Sequence, residues 1–182
     1  MEEKRILRLT PWEMTESLMQ ELEDEGLITR LCPGGHDGPV DEGETIGADL
    51  YEPTEGYGPH KLIVVLVNRE GFPGFATHPA HEEFWLVGRE NRDPMYIVIG
   101  TCKREVMEEK VRTGTLREED FVLLRARYND PGVSFFVMNP GIPHGEGIIR
   151  QGKGPASFYV TESRDLPLDI LDLGEYCLDI GE

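Results

Sequence analysis

The sequence predicts a mainly β protein, a barrel or sandwich with a few helices attached. Three observations predict it. Short runs rich in β-branched and aromatic residues recur along the chain, at Leu62–Val67, Phe84–Val87, Tyr96–Ile99, Ser134–Met138 and Ser157–Thr161. Glycine and proline are plentiful, 21 and 13 residues, and cluster between those runs, where tight turns need them. Helical spacing of apolar residues is confined to a stretch near the N-terminus and another beyond residue 103. The length, 182 residues, suits one domain with a sizeable core, 1–182.

The first element is a helix over about residues 11–25. Thr10 is placed to cap it, Pro11 suits its first position, Glu13 completes a capping box, and Gly26 stops it. Trp12, Leu18, Met19 and Leu22 form its apolar face. From Cys32 to His60 the chain is rich in Gly, Pro and acidic residues and reads as loops joining short strands, with His36 and His60 at the surface. Leu62–Val67 is a buried strand, broken by Gly71, Pro73 and Gly74.

After His78-Pro79-Ala80-His81-Glu82-Glu83 come the strands Phe84–Val87 and Tyr96–Ile99. Lys103–Arg127 then reads as a helical insertion of one or two helices, with Thr115-Leu116-Arg117-Glu118 as a second capping box. Phe121-Val122-Leu123-Leu124 reads equally well as a strand. Two strands follow, separated by the turn Asn139-Pro140-Gly141, and an acidic extension, 165–182, lies over the main fold.

Composition excludes several functions. The formal charge is −17, from 35 acidic and 18 basic residues, so nucleic acid and anionic membrane surfaces are poor partners. Cys32, Cys102 and Cys177 are odd in number, far apart and without a CxxC pair; this argues against a disulfide framework and for a reducing, cytoplasmic setting. No apolar run is long enough to span a bilayer and no signal-peptide core stands at the N-terminus. Phosphate-binding glycine loops, a G-x-S-x-G elbow and H-E-x-x-H are all missing.

What remains is a histidine constellation. His78 and His81 stand beside Glu82 and Glu83, and His144 follows Asn139-Pro140-Gly141-Ile142-Pro143. Imidazoles and a carboxylate converging from neighbouring strands, with one position left open, are what a catalytic divalent metal requires. A tight turn with Gly141 free in backbone angle and Pro143 fixing the next strand's entry would aim His144 inward. In a regular strand, positions 78 and 82 share one face and 81 and 83 the other. Pro79 argues for a bend that could bring His81 in. Glu82 and Glu83 both stay open as the carboxylate, and each histidine has a plainer reading as a turn or loop residue.

With these residues the sequence resembles the cupin superfamily. Pro140-Gly141-Ile142-Pro143-His144-Gly145 is similar to its second motif, with Asn139 where that motif has a proline and Ile148 where it has an asparagine. The first motif is matched more loosely: His78 takes the second histidine's place, Ala76 stands where the first belongs, Glu82 and Glu83 satisfy its two allowed gaps, and Gly88 closes it early. The resemblance covers roughly residues 62–161 and implies a double-stranded β-helix, or jelly-roll barrel. It further implies a divalent transition metal (Fe, Mn, Zn or Ni) at His78, His81, Glu82 or Glu83, and His144. The chain would then be a homodimer acting as an oxygenase, isomerase or related enzyme on a small molecule. The alternative is a non-catalytic, possibly metal-free, ligand-binding or sensing module.

Overall fold

The β-branched runs become strands, and most of them pair with partners far along the chain. The computed structural model describes residues 4–30, 56, 58–67, 75–78, 83–87, 95–126, 136–145, 156–163, 165, 167 and 169–181. In order the elements are β1 (Arg5–Leu9), β2 (Pro11–Glu13), α1 (Glu16–Asp24), β3 (Ile28–Arg30), β4 (His60–Val67), β5 (Phe75–Thr77), β6 (Glu83–Val87) and β7 (Met95–Gly100). They continue with α2 (Arg104–Thr113), a 3-10 turn (Glu118–Asp120), β8 (Phe121–Ala126), β9 (Phe136–Met138), β10 (His144–Gly145), β11 (Ala156–Ser163), β12 (Asp169–Leu171) and β13 (Tyr176–Ile180).

The mainly β class is as the sequence predicts. One sheet has the order β12-β5-β10-β7-β8-β2 and the other β3-β9-β6-β11-β4. Four antiparallel pairs nest inside one another: β7 with β8, β6 with β9, β5 with β10, and β4 with β11. Successive pairs of this nest fall alternately in the two sheets.

Alternation along each strand sorts the apolar residues into two cores. Ile97, Ile99 and Leu124 from one sheet meet Ile28, Phe136, Met138 and Val160 from the other, joined by Met19 and Leu22 of α1. This inner core holds the sheets together; burying a side chain of the size of Phe136 contributes about 2–3 kcal/mol. On the outer face of the larger sheet, Phe75, Val98, Leu123 and Leu171 pack beneath Met107 of α2 and Leu9, Tyr176 and Leu178 of a parallel β1–β13 pair.

The structure corrects the expected N-terminal helix. The N-terminal helix is Glu16–Asp24 rather than about 11–25. Thr15, not Thr10, caps it, its side chain accepting from the Leu18 N–H at 3.3 Å. Pro11–Glu13 is claimed instead by parallel pairing with Leu123–Arg125, at a sheet edge where proline's missing N–H is tolerated. Trp12 is accordingly 58% exposed rather than part of a helix face. The stop at Gly26 stands: at φ 74 it ends α1 in a Schellman motif, with Gly26 N–H donating to Glu23 and Leu27 N–H to Leu22.

Within Lys103–Arg127 the expected inserted helix is α2, and Phe121–Leu124 takes the strand reading the sequence left open, as part of β8. Phe121 and Leu123 face the outer core while Leu124 faces the inner one, so a strand buried on both sides reads as an unbroken apolar run. Between His78 and Glu83, residues 79–82 lie outside the described residues. β5 ends at Thr77 in one sheet and β6 begins at Glu83 in the other, so the parity argument does not carry across. Of the Cys32–His60 loops, the described residues are Gly56 and 58–60, and His60 opens β4.

The acidic extension is recruited into the fold. β12 pairs with β5, and β13 with β1. Among the described residues no helix is long and apolar enough to cross a membrane.

Candidate functional site

Two chain crossings between the sheets build the site. One leads from β5 to β6 and starts with His78; the other leads from β9 to β10 and ends with His144. They are hydrogen-bonded to each other, Gly141 N–H donating to the His78 carbonyl at 3.0 Å. His144 lies level with Ala76 on β5 and with Ile99 on β7, and Ile99 belongs to the inner core. Its side chain therefore stands on the face that looks toward the other sheet.

The two imidazoles come together as the sequence predicts. Their ring centres are 5.4 Å apart with an interplanar angle of 35°, and the residues are 5% and 3% exposed. His144 Nδ1 lies 3.0 Å from the Ile142 carbonyl oxygen. A carbonyl only accepts, so in the neutral ring the proton sits on Nδ1 and the lone pair on Nε2.

The turn carrying His144 is held from several sides. Gly141 takes φ 78, a conformation suited to glycine, and Ile142 N–H closes the turn onto the Asn139 carbonyl at 3.2 Å. Gly100, at the end of β7, donates to the Pro143 carbonyl at 2.7 Å, and Arg104 N–H at the start of α2 donates to the Gly141 carbonyl at 3.0 Å. Arg104 also ties β12 to β5: its guanidinium reaches Asp169 at 2.8 Å and Thr77 at 3.2 Å.

Of the other predicted site residues, His81 and Glu82 lie outside the described residues. Glu83 is described as the first residue of β6, and its backbone lies level with Met138 of the inner core, the last residue before the His144 turn. Among the described residues no group of three or more His, Cys, Asp and Glu side chains is placed to hold an ion.

Sequence reasoning missed a charged pair at the same end of the sheets. β11 pairs with β4 without interruption, so Glu162 takes the face of Val160, an inner-core residue. Its side chain is only 12% exposed and its carboxylate lies 3.1 Å from Lys61 Nζ on β4. The signal in the sequence is a charged residue in phase with the apolar positions of a strand.

Of the three cysteines, Cys32 lies outside the described residues, and the other two give cysteine chemistry little support. Burial pushes the Cys102 thiol up from its ordinary value, with Lys110 opposing the shift and Asp120 adding to it, so the thiolate is disfavoured. Cys177 is exposed on β13, and neither it nor Cys102 is in a disulfide. No family model matches the chain, and no curated protein matches it.

Proposed function

We propose that the chain is a cupin-type jelly roll that holds a divalent transition metal (Fe, Mn, Zn or Ni) and acts on a small molecule. The observation that carries this reading is the buried His78–His144 pair with His144 tethered through Nδ1. Two imidazoles bound to one tetrahedral ion have ring centres about 5 Å apart, because each nitrogen stands about 2.1 Å from the metal. A ligating histidine characteristically donates its other N–H to a carbonyl or carboxylate, which fixes tautomer and ring orientation. The 5.4 Å separation fits the first condition, and the Nδ1 tether of His144 fits the second. His78 and His144 would hold the metal together with His81 and either Glu82 or Glu83.

The strand order supports the jelly-roll reading. Eight consecutive strands paired as nested antiparallel couples and divided between two sheets are what a double-stranded β-helix requires. When bound, the metal supplies Lewis acidity or an oxygen-binding centre. The protein's own residues fix the His144 ring through Ile142 and place it level with Ile99 of the inner core, whose apolar side chains disfavour water.

A second reading, a non-catalytic ligand-binding or sensing module, is favoured by Ala76, which stands level with His144 where the resembled motif has a further histidine. Elemental analysis of the purified protein separates the two. The metal reading expects a stoichiometric transition metal in the wild type and none in His78→Ala or His144→Ala, with unchanged far-UV circular dichroism. Metal-free wild-type protein carrying a small molecule supports the second reading instead.

A further inference from the structure

We infer that Asn139 is a positioning residue for His144, through which the α1–β3 unit sets the geometry of the histidine pair; this rests on the metal reading above. Asn139 occupies the place where the resembled motif has a proline, and it does what a proline cannot. Its side-chain oxygen accepts from Thr29 Oγ1 at 2.8 Å, and its amide nitrogen donates to the Gly26 carbonyl at 2.9 Å and the Ile28 carbonyl at 3.2 Å. Its backbone N–H donates to the Leu27 carbonyl at 3.1 Å, and its own carbonyl accepts from Ile142 N–H at 3.2 Å. Two carbonyls on one side and a hydroxyl donor on the other fix which way the amide points.

The receiving end of these bonds is itself rigid. Gly26 and Leu27 form the Schellman end of α1, and Arg30 of β3 binds Glu16, Gln20 and Glu23 of that helix. The turn is thus pinned to the α1–β3 unit at Asn139 and to β7 at Pro143, where Gly100 holds it. Between those pins lies Ile142, whose carbonyl orients the His144 ring. Without the Asn139 side chain the turn is held through backbone bonds alone, at Asn139, Gly141 and Pro143, and the relation of the ring to His78 loosens. Residues that orient a ligating histidine characteristically contribute 10-fold or more to metal affinity.

The test is a titration of metal-free protein with Co2+, alongside ¹⁵N NMR of the His144 ring in the absence of metal. Asn139→Ala is expected to bind Co2+ about 10-fold more weakly and to shift His144 from the Nδ1–H tautomer toward a mixture. Thr29→Val, which leaves the amide nitrogen's bonds in place, is expected to shift both readouts less, in the same direction. Leu178→Ala, a destabilising change in the outer core, should move neither. Wild-type affinity and an unmoved His144 tautomer in Asn139→Ala overturn the inference. If that variant does not fold, the same result in Thr29→Val overturns it. Wild-type protein that binds no Co2+ overturns the metal reading, and the metal-free tautomer measurement then decides the inference alone.

Discussion

A side chain at position 100 would collide with its neighbours. A Cβ there would come within 2.8 Å of Met107 Cε and 3.3 Å of both the Pro143 ring and its carbonyl oxygen. The methionine end can yield, but the Pro143 backbone is bound to Gly100 itself and belongs to the turn that carries His144. Gly100→Ala is therefore expected to destabilise the protein by about 1–3 kcal/mol, read as a lowered urea midpoint. At this scale His144 was legible because turn chemistry announces it: glycine and proline in Pro140-Gly141-Ile142-Pro143 lead into a residue that must point in one direction. Asn139 was legible only as a departure from a motif. Its partners Gly26, Ile28 and Thr29 lie 110 or more positions away in the chain, and no local pattern connects them.

Helix α1 separates the two candidate caps. If Thr15 is the N-cap, Thr15→Ala costs about 1 kcal/mol of stability, and Thr10→Ala, at an exposed position between β1 and β2, costs little; the reverse order in thermal melts would restore the longer helix. The same helix predicts a pH dependence. Burial pushes Glu23 upward, but the Arg30 backbone N–H and guanidinium outweigh this and hold its carboxyl below the ordinary 4.5. A lowered folded-state value means stability that is present above 4.5 and lost as pH falls through the folded value. The urea-midpoint gap between wild type and Glu23→Gln should accordingly be widest near neutral pH and close in acid. The elements hardest to read were the shortest. β5 and β10, three and two residues long, carry both site histidines or adjoin them, yet are too brief to show any period. Thr10-Pro11 misled because a helix start and an edge strand tolerate proline for the same reason, its missing N–H.

For the whole molecule, β-richness and turn density were enough to predict the class, and strict alternation within β7 and β8 sorted the residues between the two cores. The pairing of distant strands was not readable, because register is decided by partners that a local pattern does not name. That pairing makes the site: nested ribbons bring residue 78 beside residue 144 by crossing between sheets twice at the same end. The central claim is that these two imidazoles share one ion, and it is tested most directly by Zn2+ titration of ¹⁵N-histidine-labelled, metal-free protein. The account predicts that the ring-nitrogen resonances of His78 and His144 shift together and saturate at one equivalent, His144 through Nε2. Movement of only one of them, of neither, or of the two at separate saturation points would contradict it.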